Sequence, residues 1–199
     1  MAGLAAVLAA TIIVGVVWIA NAQRRLAGAV PTTTASPRAT ADTEVPAWFS
    51  NLPFKCVGST GLATGPAPAL AYVNAVRAGT QAGFDRVTIQ FGDRPPANTV
   101  LTSQSGAKFT SGAGGQPVTL SGEYGAVVTM HNTDSHTQYG GQTDIKTGYP
   151  VVLELYKLQD SQGTVQWAIA LSRMPCYRMA FLDNPTRLVI DFRAVSATT

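Results

Sequence analysis

The chain has 199 residues, 46% of them hydrophobic and only 13% charged, which excludes a disordered polyelectrolyte and a highly charged coiled coil. Fourteen Lys and Arg against eleven Asp and Glu give a net charge of +3, and the cations are scattered, so no basic face for nucleic acid is encoded. The length allows one ordinary domain with appendages and excludes two full ones.

Residues 3–22 read GLAAVLAATIIVGVVWIANA, without a charge and with Thr11 and Asn21 as the only polar side chains. About 20 such residues in a helix span a bilayer core, so residues 1–22 are expected to be a transmembrane anchor or a signal peptide. Ala20-Asn21-Ala22 is an A-x-A-like cleavage site, after which a secreted chain would start at Gln23. The apolar stretch exceeds the usual signal core of about 7–15 residues, which favours the anchor and a membrane partner. Both readings export the remainder. Arg24 and Arg25 follow the span with no Lys or Arg before it, an arrangement that by the positive-inside rule would leave the remainder in the cytoplasm. The spacer and the cysteine pair described below weigh against that orientation. A lipobox-type cysteine beside the span is absent.

Residues 30–46, VPTTTASPRATADTEVP, are rich in Thr, Ala and Pro and lack an apolar period. Such a segment cannot bury enough surface to offset its ordering entropy, so residues 23–47 read as a disordered linker, and the prolines keep it extended. The folded domain is expected over 48–195, roughly 150 residues, enough to bury about two-thirds of its unfolded surface.

Within the domain the apolar period is two. Val87, Ile89 and Phe91 alternate with Arg86, Thr88 and Gln90. Val151, Leu153 and Leu155 alternate with Val152, Glu154 and Tyr156. Val165, Trp167, Ile169 and Leu171 alternate with Thr164, Gln166, Ala168 and Ala170, and Leu188, Ile190 and Phe192 with Arg187, Val189 and Asp191. Each run is expected to put one row on a core face and a mostly polar row toward solvent. Residues 126–131 and 177–182 are further strands, and 69–77 fits a strand better than a short helix. Residues 160–163 and 183–186 carry hairpin chemistry. About eight short strands with no convincing helical stripe imply an all-β fold, an antiparallel β-sandwich or an open barrel, and argue against a doubly wound or TIM-barrel enzyme.

Cys56 and Cys176 are the only cysteines, and in an exported chain the economical reading is one disulfide between them. Their separation lacks metal-ligand spacing. Ser105-Gly106-Ala107-Lys108 matches S-x-x-K and Lys146-Thr147-Gly148 matches K-T-G, the serine-nucleophile pair of penicillin-binding enzymes. The serine sits in a turn rather than opening a buried helix, and the S-D-N element is missing, so a hydrolase or transferase using Ser105 and Lys108 stands only as an alternative. His131, Asp134 and His136 fall in a polar, glycine-containing stretch that reads as a surface loop rather than a metal site. Gly112, Gly114 and Gly115 precede no helix, so no phosphate-cradling loop is expected. No cofactor is implied. Arg86 and Arg187 can pair with nearby carboxylates at the surface or hold carboxylates of a polymer in bidentate fashion. Tyr139 and Tyr149, outside the alternating runs, can close the sandwich ends or stack on sugars.

The segments GFDRVTIQF (83–91), VTLSG with GAVVTM, GTVQWAIAL (163–171) and FLDNPTRLVIDF (181–192) together resemble the AMIN-like domain of exported actinobacterial proteins, over roughly residues 70–193. The chain departs from that pattern at Asp160-Ser161 and Ala170. The resemblance implies a β-sandwich related to the AMIN domains of periplasmic amidases and secretion pores, which are taken to localise proteins in the envelope with peptidoglycan as ligand. It brings no catalytic residues. The expected protein is thus a non-enzymatic cell-envelope binding module, contacting peptidoglycan or an envelope protein through Arg86, Arg187, Tyr139 and Tyr149. The alternatives are the Ser105/Lys108 enzyme and an interaction domain that pairs through an exposed sheet edge.

Overall fold

A computed structural model describes residues 45–65, 69–112 and 114–194. Among the described residues a four-residue helix, α1 (Ala47–Ser50), is followed by thirteen strands: β1 (Ser59–Ala63), β2 (Ala71–Gln81), β3 (Phe84–Phe91), β4 (Asn98–Ser105), β5 (Lys108–Ser111), β6 (Gln116–Thr119), β7 (Tyr124–His131), β8 (Thr133–Asp134), β9 (Asp144–Lys146), β10 (Val152–Ser161), β11 (Thr164–Leu171), β12 (Pro175–Leu182) and β13 (Arg187–Ala194). The fold is all-β. The strands that no expected segment covers are β4, whose sequence NTVLTSQS is mostly polar, and the short β1, β5, β6, β8 and β9; all carry too few apolar residues for an alternating pattern to register.

Six strands form one sheet in the order β1-β4-β7-β11-β10-β9, five form a second in the order β12-β13-β3-β2-β8, and β5 and β6 make a separate hairpin. Every pairing is antiparallel except the two-residue contact of β2 with β8. One core cluster draws on both large sheets: Val87, Ile89 and Phe91 of β3 and Leu188, Ile190 and Phe192 of β13 join Val128 and Met130 of β7 and Val165, Trp167 and Ile169 of β11. Each large apolar side chain buried there stabilises the fold by roughly 1.5–3 kcal/mol. The hairpin joining β10 to β11 has a two-residue turn, Gln162-Gly163, with φ of 53° and 69°. Positive φ at both central positions is the geometry that matches strand twist, and glycine supplies it without strain at the second.

Two expected alternations are corrected. In β10 a bulge between Val152 and Glu154 breaks the row Val151, Leu153, Leu155, so Val152 and Leu155 enter the shared core. An extra residue in one strand flips every later side chain to the other face. The second correction concerns the outward rows, which are not simply solvated. Ala168 and Ala170 of β11 lie under the β5–β6 hairpin with Phe109 and Leu120. Val189 and Ala180 lie under Phe49 of α1, with Val45 and Leu52 packed beside it.

The transmembrane expectation is also corrected. Among the described residues no helix is long and apolar enough to cross a membrane. The segment expected to form the span lies outside the described residues, as do residues 23–44 of the expected linker. The membrane partner that depended on that helix is therefore withdrawn.

Candidate functional site

The registers of β12, β13 and β3 set Arg178 opposite Asp191, and Asp191 opposite Arg86. Opposed residues of neighbouring strands point to one face, so the three form a row across the outer face of the second sheet. Arg86 grips Asp191 bidentately, Nε to Oδ1 at 2.7 Å and Nη2 to Oδ2 at 3.0 Å, and Arg178 Nε donates to Oδ2 at 2.9 Å. Asp191 is 0% exposed, Arg86 5% and Arg178 8%. Two guanidinium groups share one carboxylate away from water, which is tolerable only when the remaining donors are also occupied. Arg178 Nη1 donates to the main-chain oxygens of Ser50 and Leu52, at the end of α1. Aromatic rings also pack against both guanidinium groups. Arg178 lies 5.2, 4.6 and 5.3 Å from the ring centroids of Phe49, Phe54 and Phe84, and Arg86 lies 5.6 and 5.5 Å from Phe49 and Phe84.

The segment that covers this row is an arm running from Val45 to β1. Phe49 is fully buried on the sheet. Lys55 and Tyr177 exchange two main-chain hydrogen bonds of 2.9 Å, and one residue on, Cys56 is disulfide-bonded to Cys176 of β12, 120 residues away. β1 then pairs with β4 of the other sheet.

Arg86 is thus placed inside the fold rather than on a free surface. Arg187 is 5% exposed, and its Nη1 donates to the main-chain oxygens of Asp183 at 3.3 Å and Pro185 at 2.9 Å, bracing the β12–β13 turn. Tyr139 is half-buried, with its ring edge-on to Trp167 at a centroid distance of 5.7 Å and Lys157 Nζ 5.8 Å above it. Burial raises the pKa of its phenol. Tyr149 is half-buried elsewhere, its hydroxyl 3.4 Å from the main-chain oxygen of Ala78. Arginines and tyrosines therefore do not form a single cradle.

Ser105 and Lys108 flank the turn at Gly106 and both are exposed; Gln104 Nε2 spans the turn to the main-chain oxygens of Gly106 and Lys108. A groove that Ser105 lines is not lined by Lys108. His131 is 3.4 Å from Thr164 Oγ1. Asp134 and His136 do come together, with Asp160, their ligand-type atoms all within 4.8 Å. Asp160 is already engaged on both oxygens. Oδ1 meets His136 Nδ1 at 3.0 Å and the Ser135 N–H at 3.3 Å, while Oδ2 accepts from the Ser135 hydroxyl and from Lys157 Nζ at 3.0 Å. Burial alone would raise its pKa, but the hydrogen bonds from Ser135 and Lys157 outweigh that and hold it below the ordinary aspartate value. The Lys157 ammonium supplies the neutralising charge that a bound cation would bring. Asp160 was hidden in the sequence because Asp160-Ser161-Gln162-Gly163 reads as a turn.

Asp85, the second residue of β3, carries no sequence motif that marks its role. It is 1% exposed, and its Oδ2 accepts from the N–H groups of Val151 and Val152 at 2.6 and 2.8 Å, linking β3 of one sheet to the start of β10 in the other. A carboxylate taking two main-chain N–H groups satisfies the bulged start of that strand.

No curated protein sequence matches the chain. The family description of the AMIN-like domain matches residues 71–194. The match opens with the first residue of β2 and closes with the last of β13, so it takes in the second sheet entire and all of the first sheet except β1, while the arm precedes it. With more than half of its length and nearly all of its paired strands inside that match, the chain belongs to the AMIN-like domain family.

Proposed function

We propose that the protein is a binding and localisation module of the cell envelope, a β-sandwich that contacts peptidoglycan or an envelope protein. AMIN-like domains are non-catalytic and are associated with exported and envelope proteins, which places this chain in general terms outside the cytoplasm. The disulfide fits that compartment, since such bonds persist where the environment is oxidising. The binding unit is the region 48–195, together with the arm residues packed on it.

The observation that carries the reading is the family match over the two sheets. Because Arg86 and Arg187 are consumed inside the fold, the ligand contact falls to Tyr139 and Tyr149, whose rings can stack on sugar faces while their hydroxyls, which donate to the main-chain oxygens of Gln142 and Ala78, can accept. Retention of the purified full chain on isolated peptidoglycan at moderate salt tests this. Tyr139→Ala with Tyr149→Ala should weaken retention about tenfold. A wild-type chain that elutes with an inert control protein, or a folded double variant retained equally well, contradicts it.

A second reading has its own observation. Tyr177 directs its main-chain groups away from β13 to Lys55, and by the period of two Met179 does the same. A groove of about 300 Å³ lies along this edge, lined by Pro53, Gly61, Leu62, Tyr177 and Met179. An extended segment of a partner protein could add there as a strand. A Met179→Pro variant that loses a protein partner but keeps wall retention favours it.

A further inference from the structure

The large hydrophobic side chains left exposed among the described residues are Trp48, Val57 and Met174. Two of these flank the disulfide: Val57, 43% exposed, follows Cys56, and Met174, 61% exposed, stands two residues before Cys176. With Cys56 and Tyr124 they line an open groove of about 270 Å³ whose other wall is the end of β4. The two halves of the bond are unequal. Cys56 is exposed and Cys176 is 3% exposed. Directly across the ladder from Cys176 is Arg193, on the same face, its guanidinium 4.6 Å from the centroid of the Phe54 ring.

The arm before this bond keeps its place only through tertiary contacts. A four-residue helix does not persist without tertiary contacts. Its attachments are the apolar cluster of Phe49 with Val45 and Leu52, Phe54 packed on Phe84 and under the guanidinium groups of Arg178 and Arg193, the two Lys55–Tyr177 hydrogen bonds, and the Arg178 donors on Ser50 and Leu52. The covalent bond keeps them in register by holding the arm end beside its sites at high effective concentration.

We propose that Cys56–Cys176 is a thiol–disulfide exchange site, served by a partner protein's dithiol that docks in the Val57–Met174 groove, and that reduction releases the arm from the second sheet. A partner thiolate attacks Cys56 Sγ, forming a mixed disulfide and breaking the Cys56–Cys176 bond, and Cys176 leaves as a thiolate that takes a proton. The partner's second thiolate then attacks its own sulfur in the mixed disulfide and expels the Cys56 thiolate, which is protonated in turn. Two electrons and two protons pass from the dithiol, which ends as a disulfide, to the cystine, which ends as two thiols. Release uncovers the donors of Arg178 that Ser50 and Leu52 now occupy.

The test uses the oxidised full chain without denaturant, incubated with reduced thioredoxin as the protein dithiol and, in parallel, with dithiothreitol. Thiol alkylation followed by mass spectrometry gives the reduction rate, and hydrogen exchange follows the amides. Both reagents should reduce the bond, with exchange at Phe49, Leu52 and Lys55 rising at least about tenfold, a loss of about 1.4 kcal/mol of local protection, while β11 and β13 stay protected. Val57→Ser with Met174→Ser should slow thioredoxin about tenfold and leave the dithiothreitol rate unchanged. Cys56→Ser should show the fast-exchanging arm with no reductant. A bond that yields only in denaturant, an arm that keeps its protection after reduction or in Cys56→Ser, β11 and β13 losing protection together with the arm, or a groove variant that slows both reagents or neither overturns the proposal.

Discussion

At the scale of single residues the decisive group is Asp191. It stands fully buried between two guanidinium groups, so its charge cannot be removed without leaving both cations uncompensated. Asp191→Asn should cost about 3–5 kcal/mol, read as a lowered urea midpoint with the slope unchanged. Replacing all three polar residues together, Arg86→Met, Arg178→Met and Asp191→Leu, should recover most of that loss, because the desolvation cost of the charges disappears with them. Asp160 sets a pH dependence. Folding holds its pKa below the unfolded value near 4, so its contribution is fully present above about pH 4 and is lost as pH falls through the lower, native pKa. Asp160→Asn should therefore flatten the fall in stability below about pH 4, measured by denaturant unfolding across the acid range. The residue types were legible in the sequence, and the partners were not. Arg86 and Asp191 are 105 positions apart, and only the β3–β13 register makes them neighbours.

Among the elements, the two covers explain why the outward rows are buried. The β5–β6 hairpin lays Phe109 over β7 so closely that a Cβ on Gly125 would fall 2.5 Å from its ring and 3.0 Å from the main-chain oxygen of Gly106. Gly125→Ala should push the hairpin off and expose Ala168 and Ala170, visible as faster exchange in β5 and β6 and a lower melting temperature. Phe49→Ala, which empties the anchor of α1, should cost about 3 kcal/mol in unfolding experiments with the disulfide intact. The long strands announced themselves because Val165, Trp167, Ile169 and Leu171 obey a strict period of two. The covers did not, since four residues of helix and a hairpin carrying one large apolar side chain have no period to read. A signal was nonetheless present: Ala168, Ala170, Ala180 and Val189 are apolar at positions that a solvated face would fill with polar residues.

At the scale of the described chain, the family match, the two sheets sharing one core and the covalently held arm describe an all-β module. Its arginine row is closed by its own chain, so the proposed ligand contact rests on Tyr139 and Tyr149. The all-β class was readable because the apolar pattern is local. The membrane helix was read from hydropathy alone, and no described helix supports it. Hydrogen exchange of the oxidised full chain, free and bound to purified peptidoglycan, tests the central claim most directly. Slowed exchange confined to residues 133–150, with the arm unchanged, is the expected result. Equal exchange throughout in the two samples, or slowing confined to α1 and the β12 edge, would contradict it.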